Sequence, residues 1–255
     1  MEDNMLPFER KQKILDLLKT KKSLSVEGLT KLLYSSPATI RRDLAELSQE
    51  GLIRRIRGGA TYIENKSVDL PYDFRKVSES EKKKYIAKIA LDFVYHDMTL
   101  FMDSSTTVLQ MVPFLKEYKG LKILTNGTIT AQQLSQYTNA EVTCVGGRVH
   151  PKSSSINGAV ASDFITHYRA DLALMSGKSL CESGAMEYTE EEAIVRRAYV
   201  KYAKEKVVLI DSTKFGVPSF YQSIPFSHMD YLISDGPISP SIREQVDRYN
   251  VEFIY

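Results

Sequence analysis

Two hydrophobic rhythms divide the chain, and the first ends near residue 60. Before that point apolar residues recur at three- and four-residue spacing. Ile14, Leu15 and Leu18 mark a segment around Glu9 to Lys19; Val26, Leu29 and Leu33 mark a second; Ile40, Leu44 and Leu47 mark a third. The spacing predicts three amphipathic helices whose stripes need a shared core. The third helix has well-marked ends. Ser36 suits the N-cap, Pro37 sits at the first helical position where its missing N–H costs nothing, and Gly51 suits the exit. Its apolar stripe leaves Ala38, Thr39, Arg42, Ala45 and Glu46 on the opposite face, with Arg42 pointing most directly away from the core. Tyr34-Ser35 is a turn short enough for a helix-turn-helix, and Leu52-Ile53-Arg54-Arg55-Ile56-Arg57 alternates like a strand before Gly58-Gly59. Together these elements predict a winged helix-turn-helix.

Between Thr61 and Ser80 the periodicity lapses in ENKSVDLPYDFRKVSES, which is polar and broken by Pro71. The expected organisation is a first domain over 1–62, a linker over 63–78 and a second domain over 79–255. In the second domain, Ile86, Ile89, Ala90 and Phe93 predict a helix, and Val108, Met111, Val112 and Leu115 another. Strands are expected at Thr99 to Met102, Lys122 to Thr125, Glu141 to Val145, Leu172 to Met175, Val207 to Ile210, Tyr231 to Ser234 and Val251 to Ile254. Helical segments near 157–168, 190–204 and 239–248 separate the later ones. This alternation implies an α/β fold, a winged helix-turn-helix followed by a mostly parallel, Rossmann-like sheet with helices on both faces.

Charge sharpens the reading of the first domain. Residues 1–62 carry 12 Lys/Arg against 8 Asp/Glu, net +4, whereas the whole chain is +2. Cations that neutralise nucleic-acid phosphates supply sequence-independent affinity, while side chains at the start of a helix in the major groove read base edges. Ser36, Thr39 and Arg42 are the base-reading candidates, and Arg54, Arg55 and Arg57 are assigned to phosphates or the minor groove. Arg41 lies on a flank where a phosphate or a neighbouring carboxylate serves equally. Lys82-Lys83-Lys84 reads as the solvated start of a helix.

In open α/β sheets, ligands bind at the carboxyl ends of the strands. Those ends carry Asp103-Ser-Ser-Thr-Thr107, Thr125-Asn126-Gly127 and Gly146-Gly147-Arg148. Amides at the helix start after Ser105, with the hydroxyls of Thr106 and Thr107, are able to hold a phosphate against the helix dipole, and Lys214 in DSTKFG is able to add a cation. A hydrophobic share of 43% with 26% charged residues is ordinary for a globular protein. No apolar run approaches the ~20 residues that cross a bilayer, and no signal-peptide pattern opens the chain, so a cytoplasmic protein with no membrane partner is expected. Cys144 and Cys181 are isolated and the four histidines scattered, which argues against a bound metal. No cofactor is expected.

At this point the chain resembles the DeoR family of bacterial transcriptional regulators, in which a winged helix-turn-helix precedes a sugar-phosphate-sensing domain related to ribose-5-phosphate isomerase. The resemblance rests on TIRRDLAELSQEGLIRRIRGGA at 39–60, the DSSTT and TNG loops, GGRV at 146–149, the Glu191 to Tyr199 helix and DSTKFG at 211–216. It implies an effector pocket lined by Asp103, Ser105, Thr106, Thr107, Thr125, Asn126, Gly146, Gly147 and Lys214. It also implies three partners: double-stranded operator DNA, a phosphorylated sugar, and further copies of the chain in a dimer or tetramer. The expected function is repression of sugar uptake or catabolism genes, without catalysis. Three positions depart from the pattern, since Ser105, Ser176 and Ser179 stand where the family usually has glycine. Two alternatives remain. One is a sugar-phosphate isomerase or transferase with Asp103 or Glu182 as general base and Lys214 as electrostatic stabiliser. The other is a ligand-sensing module that acts through a protein partner, with the first domain serving for dimerisation.

Overall fold

Ser36 caps its helix through the side chain, with Oγ accepting from the Thr39 amide at 3.1 Å. In this computed structural model, which describes residues 5–63, 70–216 and 219–255, the first unit extends to Phe74 and the second begins at Arg75. The first unit runs α1 (Pro7–Lys21), β1 (Ser23–Ser25), α2 (Val26–Leu33), α3 (Pro37–Gln49), β2 (Ile53–Ile56) and β3 (Gly59–Tyr62). Its strands form an antiparallel ribbon in the order β1-β3-β2, with Arg54 opposite Thr61 and Arg55 opposite Ala60. The turn before α3 closes because Tyr34 adopts a left-handed φ of 52° at the end of α2. Ile14, Leu18, Leu29, Ile40, Leu44, Leu47 and Ile53 fill the core.

Hydrophobic periodicity did not reveal the ion pair inside that core. Arg10 on α1 and Asp43 on α3 are 3% and 1% exposed, and Arg10 Nε lies 2.5 Å from Asp43 Oδ2. Neither charge reaches water, so each depends on the other for compensation. The pair therefore pins α3 to α1 from the side opposite its exposed arginines. Of the linker expected over 63–78, residues 64–69 lie outside the described residues. Tyr72–Val77 form a short helix, α4, and its Phe74 ring packs 5.3 Å from that of Phe8.

In the second unit, α5 (Ser80–Ala90) leads into β4 (Thr99–Met102), a 3-10 turn at Val108–Met111 and α6 (Val112–Leu115). Then come β5 (Lys122–Thr125), α7 (Thr128–Tyr137), β6 (Glu141–Cys144), β7 (Val149–His150), β8 (Ser155–Ile156), α8 (Ala159–Thr166) and β9 (Ala170–Met175). After these follow β10 (Ser179–Cys181), β11 (Gly184–Glu187), α9 (Glu190–Tyr202), β12 (Ala203–Leu209), β13 (Tyr221–Ile224), β14 (Tyr231–Ile233), α10 (Pro240–Arg248) and β15 (Glu252–Ile254). Seven strands form a wholly parallel sheet in the order β15-β14-β12-β9-β4-β5-β6.

Successive strand residues face opposite ways. One set, including Phe101, Ala173, Met175 and Val208, packs with Val195 and Tyr199 of α9, Ile165 of α8 and Ile242 of α10. The alternate set, Leu100, Met102, Leu172, Leu174, Val207 and Leu209, is equally buried on the other face. Two small antiparallel pieces, β10-β11-β13 and β7-β8, were not expected. Among the described residues no helix is long and apolar enough to cross a membrane.

Removing one partner of the core ion pair strands the other. Asp43→Ala is expected to cost about 3–5 kcal/mol in urea unfolding of the first unit, and Arg10→Met with Asp43→Leu together to recover most of it. A loss below about 1 kcal/mol for the single substitution, the range of a solvated surface pair, would remove this role.

Candidate functional site

The chain moves from β4 outward to β5 and β6, then returns to β9 on the other side of β4 and continues to β12, β14 and β15. Connections leaving the neighbouring strands β4 and β9 thus diverge, and at such a switch point a crevice opens at the carboxyl ends. Asp103 follows β4 there, and Ser176 follows β9. The Asp103 carboxylate, 1% exposed, accepts from the Ser105 amide through Oδ1 at 2.9 Å and from the Ser176 amide through Oδ2 at 2.8 Å. Arg196 of α9 places Nη2 3.3 Å from the same Oδ2 and donates from Nε to the Ser176 carbonyl at 2.8 Å. One buried carboxylate therefore ties the two diverging loops together. With both oxygens engaged by loop amides or Arg196, Asp103 shapes the crevice.

Lys214, in the 3-10 turn Ser212–Lys214 after β12, donates to the Gly177 carbonyl at 2.9 Å, with Nζ 3.6 Å from Asp211 Oδ2. Burial holds its ammonium below the ordinary lysine range, against the pull of Asp211. Asp103, Lys214 and the loop at Ser176-Gly177 are thus brought together.

The loop after β4 offers donors that find no acceptor among the described residues. Ser105 Oγ accepts from the Val108 amide at 3.2 Å, and Thr106 Oγ1 donates to the Arg75 carbonyl at 3.2 Å. The amides of Thr106 and Thr107 find no acceptor among the described residues. Thr107 Oγ1, Ser176 Oγ and Ser179 Oγ are also buried without hydrogen-bond partners among the described residues. Each buried polar group left so costs roughly 1–3 kcal/mol, which an incoming acceptor would offset. The helix expected after Ser105 is a 3-10 turn and then only four α-helical residues. An anion here would depend on individual amides and hydroxyls, because so short a helix has few aligned peptides to contribute a dipole.

Thr125 and Asn126 brace this edge. Thr125 Oγ1 accepts from the Gly127 amide at 3.1 Å, and Asn126 Nδ2 donates to the Ile156 carbonyl at 3.2 Å and to Asn157 Oδ1 at 3.0 Å. Asn126 Oδ1 accepts from the Tyr199 hydroxyl at 3.4 Å. At Gly127 an added Cβ would stand 2.9 Å from Ser104 Cα, so only glycine lets the β4 and β5 loops approach this closely. Gly146 and Gly147 are exposed beyond β6, two strands from β4, with Gly147 against Ile156.

Several residues of the site escaped sequence reasoning. Arg196 pairs with two carboxylates, and a third lies nearby. Its Nε is 2.9 Å from Glu187 Oε1, it touches Asp103, and Glu192 one turn earlier is 3.5 Å from Lys178 Nζ. Two cations among three buried carboxylates leave one carboxyl that is better protonated. Burial raises Glu187 to about 8, overcoming the downward pull of Arg196, with Glu192 adding to the rise. Lys83, expected in solvent, is 3% exposed and donates to the carbonyls of Arg75 at 2.5 Å and Ser78 at 2.6 Å. Desolvation, with Lys214 nearby, lowers it to about 8. A signal existed for both: Lys83 shares a helical stripe with Ile86, Ala87 and Ala90, and Arg196 shares one with Ala193 and Tyr199. Glu182, the other base considered for an enzyme, is exposed in the turn between β10 and β11.

In the first unit, Arg41, Arg42, Arg54, Arg55 and Arg57 are exposed and make no ion pair among the described residues. Of the two roles open to Arg41, pairing with a neighbouring carboxylate is not observed. Ser36 is exposed, and its Oγ lies 2.9 Å from the hydroxyl of the half-buried Thr39. Both oxygens sit at the start of α3.

Comparison with known proteins covers both units. Residues 10–66 match the DeoR-like helix-turn-helix domain, and residues 78–236 match the DeoR C terminal sensor domain. The HTH-type transcriptional regulator GolR of Listeria innocua is 32% identical, over 93% of this chain and 94% of its own length. The HTH-type transcriptional repressor GlcR of Bacillus subtilis is 30% identical, over 98% of this chain and 96% of its own. The glycerol-3-phosphate regulon repressor of Escherichia coli is 28% identical, over 97% and 98% respectively.

Glu187 carries a pH signature. Its carboxyl is raised on folding from about 4.5 to about 8, so the folded state binds the extra proton and stability falls as pH rises through that window. Glu187→Gln should flatten this slope by up to about 1.4 kcal/mol per pH unit between pH 5 and 8, measured by urea unfolding across pH. Identical slopes in both proteins would mean that Glu187 is ionised in the fold.

Proposed function

The chain belongs to the DeoR family of DNA-binding transcriptional regulators, and from that membership we propose that it represses sugar uptake or catabolism genes under the control of a phosphorylated sugar. It is a regulator and not an enzyme. In this reading residues 1–62 bind operator DNA, 63–78 connect and 79–255 sense the effector. The protein works in the cytoplasm as a dimer or tetramer whose two-fold arrangement matches paired half-sites. One observation carries the proposal: among the described residues, a single chain combines exposed arginines on α3 and the wing that make no ion pair with a switch-point loop in which the Thr106 and Thr107 amides find no acceptor. The first is the chemistry that meets DNA phosphates, and the second is the chemistry that meets a small anion.

In the DNA-binding role, Ser36, Thr39 and Arg42 face base edges, Arg54, Arg55 and Arg57 take phosphates or the minor groove, and Arg41 takes a flanking phosphate. In the sensing role, Ser105, Thr106 and Thr107 receive the effector's phosphate, Lys214 adds positive charge, and Asp103, Thr125 and Asn126 hold the loops in place. Gly146 and Gly147 close the outer end of the pocket for a longer effector. The serines at 105, 176 and 179 narrow the pocket relative to glycine, and two of them add hydroxyls that have no partner among the described residues.

Operator titration tests the reading as a whole. A matching sugar phosphate is expected to change affinity about 5- to 150-fold, corresponding to a coupling of ~1–3 kcal/mol. Arg42→Ala should lose ~1–3 kcal/mol of discrimination between operator and scrambled DNA, whereas Arg54→Ala or Arg57→Ala should weaken both and reduce the salt slope by about one contact. Affinity indifferent to every sugar phosphate would remove the sensing half. Unchanged binding in all three variants would favour action through a protein partner.

A further inference from the structure

Two side chains of the second unit converge on one backbone carbonyl at its very start. The carbonyl of Arg75 accepts from Lys83 Nζ at 2.5 Å and from Thr106 Oγ1 at 3.2 Å, and Lys83 also holds the carbonyl of Ser78 at 2.6 Å. These carbonyls close the last turn of α4, where a helix has no intrahelical donors left to offer. Phe74, one residue earlier, belongs to the core of the first unit, so α4 is the covalent exit from that unit. Lys83 and Thr106 are each only 3% exposed, which makes both bonds part of the packed interior. Thr106 is also the residue whose amide, with that of Thr107, has no acceptor among the described residues.

We propose that Lys83 and Thr106 clamp the end of α4, and that an anion bound by the amides of Thr106 and Thr107 draws the Thr106 hydroxyl from the Arg75 carbonyl to itself, loosening the exit from the DNA-binding unit. The inference rests on the proposed effector site and adds the route by which its occupancy leaves the sensor. Hydrogen bonds to an ionised acceptor are roughly twice as strong as neutral ones, so a phosphate oxygen outcompetes the peptide carbonyl for the hydroxyl proton. Lys83 remains with the Ser78 and Arg75 carbonyls, so the clamp loses its Thr106 arm alone. The buried lysine, crowded by the positive charge of Lys214, is also drawn toward incoming negative charge. Thr106 and Lys83 are positioning residues in this scheme, because they act on DNA binding only through α4.

Hydrogen–deuterium exchange on the full chain, with and without inorganic phosphate at matched ionic strength, tests the coupling. In the wild type, phosphate should slow exchange over 103–109 and speed it over 72–79 by about fivefold, the effect of losing one net hydrogen bond. Thr106→Val should keep the slowing over 103–109, show fast exchange over 72–79 from the outset, and lose the response there to phosphate. Thr106→Ser, which restores a hydroxyl, should behave as wild type, and Lys83→Arg should retain the response that Lys83→Met loses. Slowing at 103–109 with no change at 72–79 would overturn the coupling and leave the site standing. No slowing at 103–109 would overturn the site reading and the coupling with it.

Discussion

The buried Asp103 carboxylate is the constraint on which the sensor edge depends. At the switch point the connections after β4 and β9 leave in opposite directions, and backbone packing alone gives them no reason to meet. Asp103 bonds both loops, and Arg196 secures the same carboxylate from α9 while holding the Ser176 carbonyl. Burying these charges is costly, and the cost is offset because each oxygen and each guanidinium nitrogen at the junction meets a partner. Among the described residues, the amides of Thr106 and Thr107 and the hydroxyls of Thr107, Ser176 and Ser179 stand outside this compensation.

The first unit uses a related device for a different end. Arg10 and Asp43 fix α3 from beneath, so that the exposed arginines of α3 and the wing need no internal carboxylate for their orientation. In both units the charges that organise structure are buried and paired. The arginines of α3 and the wing stay in solvent, and the donors of the β4 loop that lack an acceptor among the described residues are neutral.

Much of this was legible in the chain. Ser36, Pro37 and the Ile40, Leu44 and Leu47 stripe announce α3, and alternation over 52–57 announces the wing, because local capping and periodicity suffice for both. The central strands were equally plain, since strands covered on both faces are nearly continuous apolar runs. By contrast α7 was missed: TITAQQLSQY buries only Thr130 and Leu134, so it shows no clear apolar stripe. The β10-β11-β13 sheet was missed because its strands are three or four residues long and pair across distant sequence. At the site, Asp103, Thr106, Thr107 and Lys214 could be named from loop chemistry at strand ends. Arg196, Glu187 and Lys83 could not be named that way, because their roles arise from which side chains folding brings against them. A charged residue on an apolar helical stripe was the one clue.

The most direct test is a crystal structure of the full chain with a sugar phosphate that alters its operator affinity. The phosphate should lie within hydrogen-bond distance of the Thr106 and Thr107 amides, with Asp103 still bonded to the amides of Ser105 and Ser176. An effector bound elsewhere, with those two amides still lacking an acceptor, would contradict the account.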